Sequence, residues 1–442
     1  MLFTRARLRL LPLFLIAAVA IAAEDDVRPL TILHTNDLHA HLLPNDQGLG
    51  GFAQLATALR REREHCSPCL YLNAGDLVQG TPVSTIFHGV PVYEIANLLG
   101  IDVSTLGNHD FDYGCDSIPK FLTIARFPIV SANVVNDQGT TIAPPYAIKT
   151  VDGLKVGVIG AVMGNLVGVY ETKETMGLCH VLPVVETVRR IAAELMNHVD
   201  VVVLLAHVED HEADELLHTA PEIPILIAGH VHTGFTSLKE FEGRVAVEGR
   251  AYGAELDRLD LRIDIKRHKV VSSDWKRIPI DKRFPPAPDV ASLISEWEAK
   301  VSKVVDVPIG ESKRRLTGPD LVPLVETAMR EETGSDFAFV NRGNIREVLP
   351  QGQLLARNVW NILPFDNYIV IGTFKGRDLP ATVTKGHAVD PDKEYTLATS
   401  DFTAANQSAP TQLGVSGLAF DKKGPLQRDA VIDWIKKKRV IE

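Results

Sequence analysis

Residues 105–112 read Thr105-Leu106-Gly107-Asn108-His109-Asp110-Phe111-Asp112, and the reading of the whole chain turns on them. A strand-like run, Asp102 to Leu106, ends in a glycine. An amide, an imidazole and, three residues later, a carboxylate follow. The pattern recurs at other strand ends. Leu30–Thr35 leads into Asp37-Leu38-His39, and Leu70–Ala74 into Gly75-Asp76. Asp200–Ala206 leads into His207, and Ile225–Ala228 into Gly229-His230-Val231-His232. In open α/β sheets, sites form outside the carboxyl ends of strands. Five strand ends therefore bring Asp37, His39, Asp76, Asn108, His207, His230 and His232 to one rim.

The spacing supports metal ligation. In extended chain, residues two apart point the same way, so Asp37/His39 and His230/His232 each aim two donors at one place. Gly75, Gly107 and Gly229 precede ligand candidates, where glycine permits a sharp turn or a close approach. Seven oxygen and nitrogen donors are too many for one tetrahedral ion. They suit two divalent ions sharing a carboxylate, with Asp76 the natural bridge. Two ions about 3.5–4 Å apart generate a hydroxide nucleophile near neutral pH and stabilise in-line displacement at phosphorus. Imidazole with carboxylate suits Zn, Mn, Co or Fe and argues against calcium. Singly, a D-x-H or a G-H-x-H is ordinary loop polarity; five sets in one structural position are not. His34, inside the first strand, reads as a core histidine, and nothing requires His41, His211 or His218.

Outward from these motifs, residues 28 to 280 alternate between strand and helix patterns. Many strands are continuous Val/Ile/Leu runs, which implies cover on both faces. Helical patterns lie between them, as in Gly51–Glu64, Val92–Leu99 and Val184–His198. Hairpins are expected at Asp152-Gly153 and at Lys266–Lys269. Pro285-Pro286-Ala287-Pro288 marks a boundary, and Asp289–Val305 reads as one connecting helix. The expected division is a leader over 1–22, a metal-bearing α/β domain over 23–284, a linker helix over 285–306 and a smaller α/β domain over 307–442.

The leader has Arg5, Arg7 and Arg9, an apolar run from Leu10 to Ile21 and an A-x-A signal at Ala20-Ile21-Ala22. An exported protein, periplasmic or extracellular, is expected. The apolar run is short for a membrane span of about 20 residues. The end of the chain, Lys436-Lys437-Lys438-Arg439, carries no lipid-anchor signal, so no stable membrane anchor is expected. The formal charge is −10, which argues against a nucleic-acid polymer as partner. An anionic small molecule must then be attracted locally, by metals or a few arginines. Cys66-Ser67-Pro68-Cys69 reads as a small disulfide in an exported protein, with no second pair to make a zinc knuckle. Cys115 and Cys179 either pair or stay free.

Asn36-Asp37-Leu38-His39, Gly75-Asp76-Leu77-Val78-Gln79-Gly80, Gly107-Asn108-His109-Asp110-Phe111-Asp112 and Gly229-His230-Val231-His232 resemble the calcineurin-like metallophosphoesterases. More narrowly, they resemble the secreted 5′-nucleotidase family, with its UDP-sugar hydrolases and 2′,3′-cyclic nucleotide phosphodiesterases. The resemblance implies a four-layer α-β-β-α metallophosphoesterase domain followed by a nucleotide-recognition domain. It implies that Asp37, His39 and His232 hold one metal, that Asn108, His207 and His230 hold the second, and that Asp76 bridges. It makes His109 and Asp112 the catalytic pair. His109 would stabilise the phosphoryl oxygens or protonate the leaving oxygen, and Asp112 would orient the ring and favour its charged form.

In the second domain, Asn341-Arg342-Gly343-Asn344-Ile345-Arg346 resembles the family's Asn-x-Gly-x-Ile-Arg loop, with Asn341 and Arg346 on the substrate. Leu363-Pro364-Phe365 and Asp401-Phe402 resemble the segments whose two Phe side chains sandwich a base. Two departures stand out. Ser408 lies near the position of the family's ribose-contacting Asp, and it is not settled whether Arg314 or Arg315 faces substrate. The expected activity is removal of phosphate from 5′-nucleotides. Cyclic nucleotides, UDP-sugars and non-nucleotide phosphoesters are the alternatives. A non-catalytic nucleotide-binding surface protein would lack a ligand or the His/Asp pair, and all are present. Domain swinging is implied as well, with a hinge near the end of the linker helix.

Overall fold

The computed structural model describes residues 26–167, 171–409 and 412–442. The leader expected over residues 1–22 lies outside them. Two six-stranded sheets make the larger body. One runs Lys269–Pro279, Glu255–Asp264, Val27–Thr35, Cys69–Asn73, Val103–Thr105, Ile129–Val130 from edge to edge. The other runs Lys239–Phe241, Arg244–Glu248, Ile225–Gly229, Val201–His207, Leu154–Val162, Tyr146–Val151. The four ligand-bearing or neighbouring strands of each sheet are parallel, and antiparallel pairs close one edge of the first sheet and both edges of the second.

Alternation along each strand explains the layering. Leu30, Ile32, Leu70 and Leu72 point inward and meet Val156, Val158, Val203 and Leu205 of the opposite sheet. Leu33, Tyr71, Ile159 and Leu204 point outward and share a core with Leu55 and Leu59 of helix Phe52–Arg63 and with Val188 and Ile191 of helix Val184–Leu195. Each full burial of such a side chain contributes about 1.5–3 kcal/mol. Both faces of each sheet are therefore covered. This is why the strands read as unbroken apolar runs, and the result is the four-layer α-β-β-α arrangement. The hairpin at Asp152-Gly153 forms with both residues at positive φ, 47° and 77°, matching the twist of the flanking strands. A short antiparallel pair, Val134–Asn136 with Cys179–Val181, was not legible beforehand. Three-residue strands carry too little periodicity to read.

The smaller body has a four-stranded sheet (Phe337–Ala338, Glu394–Ser400, Tyr368–Lys375, Lys422–Leu426) and a three-stranded one (Gly352–Leu355, Pro308–Ser312, Val440–Ile441). Helices Gly318–Thr333 and Gln427–Lys438 pack Leu321, Val325 and Met329 against Val431 and Ile435. Between the bodies lies helix Pro288–Val305. Val290, Ile294 and Val301 bury it against the larger body. Arg357 of the smaller body reaches back to its Glu298 at 2.7 Å and to Asp306 at 2.6 Å. Cys66 pairs with Cys69, and Cys115 with Cys179. Among the described residues no helix is long and apolar enough to cross a membrane.

Candidate metal centre and substrate cavity

The seven predicted ligands converge. Asp37, Asp76 and His207 are fully buried, and so are His39 and, nearly, Asn108. His39 Nε2 lies 3.0 Å from His232 Nε2, and Asp37 Oδ1 lies 3.5 Å from His232 Nε2. On the other side, His207 Nε2 stands 3.1 Å from both Asp76 Oδ2 and Asn108 Oδ1, and His230 Nδ1 stands 3.2 Å from the same Asn108 oxygen. Asp76 Oδ2 is also 3.6 Å from His39 Nε2, so it sits between the two groups.

The way these donors are aimed differs from the expectation of extended chain. Asp37, His39, Asp76, His230 and His232 all have positive φ (50°, 46°, 53°, 102° and 63°). A side chain in that region costs of order 1–3 kcal/mol and persists only where its surroundings over-determine it. Here the surroundings do so. The neighbouring turns bond to one another, with Asp37 N–H donating to Gly75 O at 3.0 Å and His39 N–H to Asp76 O at 2.9 Å. Gly107 is required by close approach, since a Cβ there would lie 2.1 Å from Asp76 Oδ1.

Each carboxylate has one oxygen anchored and one aimed inward. Asp37 Oδ2 accepts from Asn36 Nδ2 at 2.7 Å and from the His230 N–H at 2.9 Å, and Asp76 Oδ1 accepts from the His109 N–H at 2.9 Å. Asp37 Oδ1 is buried with no hydrogen-bond partner, and Asp76 Oδ2 is buried with the His207 imidazole beside it at 3.1 Å. The outer nitrogens of two histidines are spoken for: His207 Nδ1 donates to Ala74 O at 2.8 Å, and His232 Nδ1 meets the Tyr252 hydroxyl at 3.2 Å. Such outer partners fix the ring so that the other nitrogen faces the ion. Burial lowers His39 well below its usual value and His232 to about 4, leaving both as neutral ligands. Burial alone would lower His207 too, but the carboxylates of Asp76 and Asp37 outweigh it and raise the imidazole to about 10. The cluster draws positive charge to its centre. An inward Asp37 oxygen with no protein donor, two neutral imidazoles and carboxylates that hold positive charge beside them are the properties a divalent cation requires.

His109 stands apart from the seven donors, its ring held by Asp112. The chain turns into a 3₁₀ helix, Asn108–Phe111, and this brings Asp112 back onto the ring, with His109 Nδ1 3.0 Å from Asp112 Oδ1. The expectation that Asp112 favours the charged imidazole is not met. Burial, with Arg346 adding to it, lowers His109, and burial raises Asp112 to about 8. Both shifts favour the uncharged pair, in which one proton lies between Nδ1 and the carboxyl.

A cavity of about 620 Å³ opens over this pair and is closed by the smaller body. Asn341, Arg346, Phe365 and Phe402 all line it. The Phe365 ring lies 5.6 Å from the His109 ring, and Arg346 Cζ 5.7 Å from Phe365. Asn341 Oδ1 and Arg346 Nη2 are buried without a partner. Arg314 pairs with Asp320 at 2.9 Å and Arg315 with Asp46 at 3.2 Å, and neither lines the cavity. Gln412 lines it and Ser408 does not. Tyr252, Glu171 and Arg428 were missed. Each is a lone residue in the chain, brought to the site only by folding, and no local pattern marks it.

Fold and donor set together define a metal-dependent phosphoesterase. The Calcineurin-like phosphoesterase family matches residues 30–234, and the 5′-nucleotidase, C-terminal domain family matches residues 301–384. The chain belongs to the 5′-nucleotidase family. A protein of Treponema pallidum (strain Nichols) named "Probable 5′-nucleotidase" is 32% identical, over 79% of this chain and 74% of that protein. Protein UshA of Escherichia coli (strain K12) is 25% identical, over 90% of this chain and 89% of its own length. The crystal structure of a 5′-nucleotidase precursor from Thermus thermophilus has a TM-score of 0.84 at 22% identity, covering 94% of this chain and 97% of that one, a likeness of fold. Two Bacillus subtilis (strain 168) relatives are much longer; the chain spans 40% of one and 28% of the other.

Proposed function

We propose that the chain is an exported hydrolase that removes the phosphate of 5′-nucleotides with two divalent ions. The observation that carries this is the pair of inward carboxylate oxygens, Asp37 Oδ1 and Asp76 Oδ2, buried among three histidines, with His109 joining them to a cavity lined by an arginine and two phenylalanines. Asp37, His39 and His232 would hold one ion and Asn108, His207 and His230 the other, with Asp76 shared. Divalent ions such as Zn, Mn, Co or Fe would supply Lewis acidity there and a water activated for attack. Arg346 and Asn341 bind the phosphoryl oxygens or the polar edge of the nucleoside. Arg346 can do so bidentately, since Nη2 has no partner. Phe365 and Phe402 take the base between them. His109 offers Nε2 to the phosphoryl group or the leaving oxygen, and Asp112 holds Nδ1.

The substrate is a small molecule rather than a polymer. The cavity wall carries Asp112, Glu171, Glu174, Asp366 and Asp401 against Arg346 as its one guanidinium among the described residues, which favours a single phosphate. Export is supported by the basic and apolar leader and by two disulfides, which persist in oxidising compartments. Ser408 lies off the cavity, and this favours a second reading in which the ribose is held loosely and other phosphomonoesters are accepted. The test is a panel after chelation and metal add-back: AMP, GMP, UMP, 2′,3′-cyclic AMP, UDP-glucose and an aryl phosphate. Phosphate release from the 5′-monophosphates above the others is the expected outcome. Release from the aryl phosphate alone would leave the second reading standing.

A further inference from the structure

A third acid lies behind the catalytic pair. Polar atoms of His109, Asp112 and Glu171 all fall within 4.8 Å of one another, which sets the Asp112 and Glu171 carboxyls side by side. Glu171 is 3% exposed. We propose that Glu171 is a positioning residue for the pair: its protonated carboxyl donates a hydrogen bond to Asp112 and holds that group against Nδ1 of His109.

The surroundings are built for this. Glu171 Oε2 accepts from Thr175 Oγ1 at 2.7 Å, which leaves Oε1 to carry the proton. The Glu171 N–H donates to the carbonyl of buried Leu166 at 2.9 Å. Thr172 and Thr175 cap the short helix Lys173–Met176 reciprocally and hold the anchor in place. The Cys115–Cys179 disulfide then ties the chain just beyond Asp112 to the strand just beyond that helix. Two carboxyls in one desolvated place do not both ionise. Burial and the neighbouring Asp112 push Glu171 well above its usual range, so its carboxyl keeps a proton to donate. No proton leaves Glu171 during turnover. It supplies a donor that, with His109, brackets Asp112 from two sides and restricts the carboxyl to one orientation.

The proposal rests on the reading of His109 and Asp112 as the catalytic pair. The experiment compares E171L, E171Q and D112N in the metal-loaded full chain, measuring kcat and KM on AMP and metal content. E171L is expected to lose roughly tenfold in kcat, as for a buried group left without its hydrogen-bond partner, with KM and metal content within about twofold of wild type. E171Q keeps an N–H donor of the same reach and recovers most of that loss. Wild-type kcat in E171L overturns the proposal, and so does an E171Q as impaired as E171L. Full turnover in D112N instead fails the catalytic-pair reading itself. Should E171L not fold, T175V loosens the same anchor, and an unchanged kcat there overturns the proposal as well.

Discussion

The metal rim and the substrate wall meet at His109, whose ring lies 5.2 Å from that of His39 and 5.6 Å from that of Phe365, and they are built by different means. The rim is over-determined. Its donors sit at the ends of parallel strands buried on both faces, five of them at strained positive φ, with one oxygen of each carboxylate pinned by a backbone N–H or an amide. The wall stands on loops of the smaller body. Its Phe365 segment is held by a buried side chain, Arg428, whose Nη1 donates to the carbonyls of Leu363, Pro364 and Phe365 at 3.2–3.5 Å while Nη2 pairs with Asp366 at 2.5 Å. The guanidinium also lies 3.6 Å from the Trp360 ring. The larger body adds one bond, Thr85 Oγ1 to Pro364 O at 3.0 Å. Chemistry that tolerates no displacement is set in a rigid frame, and recognition is carried by a segment that two side chains, Arg428 and Thr85, tie down.

If that contrast is right, damage to the rim should abolish turnover, and damage to the wall should change which substrate is preferred. Asp76→Asn is expected to cost about a thousandfold or more in kcat, with loss of bound metal by elemental analysis, because its inward oxygen faces both donor groups. His109→Asn should keep both metals and lose on the order of 10²–10⁴-fold in kcat. Loss of metal instead would place His109 among the ligands and erase the division drawn at residue 108. Phe365→Ala should raise KM for AMP by tenfold or more, as for about 1–3 kcal/mol of stacking, and leave KM for an aryl phosphate nearly unchanged. Arg428→Met should follow the same KM pattern more weakly, with a loss of about 1–3 kcal/mol in unfolding free energy. An equal fall in kcat on both substrates would show that Arg428 does more than hold the loop.

The smallest expected effect is a pH slope. Asp257, cross-strand from His34 in the sheet beneath the rim, is buried with Arg277 Nε no closer than 3.9 Å, and burial with Glu255 nearby raises it to about 7. The folded state therefore holds a proton that the unfolded chain releases above its ordinary carboxylate pKa of about 4. Its contribution to stability is present below about pH 4 and is lost as pH rises to about 7. Denaturation midpoints across that window should fall with pH, and Asp257→Asn should flatten the slope.

The seven ligands and the His109/Asp112 pair were legible because each follows an apolar run and a glycine or sits at a fixed offset from one. The period of burial marks the strand, and the strand end marks the rim. Arg346, Phe365 and Phe402 were legible only through resemblance, since a loop arginine or a lone phenylalanine has no pattern of its own. Glu171, Tyr252 and Arg428 left no trace, because each meets its partner across a long stretch of chain and nothing local anticipates the contact. The sequence by itself determined the layered α/β order and which donor types reach the rim, because alternation and two-sided burial are local properties of a strand. Only the tertiary structure decided how the donors are aimed. The ligand-bearing turns are left-handed rather than extended, and what holds them there is the bonding of one turn to the next, from Asp37 to Gly75 and from His39 to Asp76.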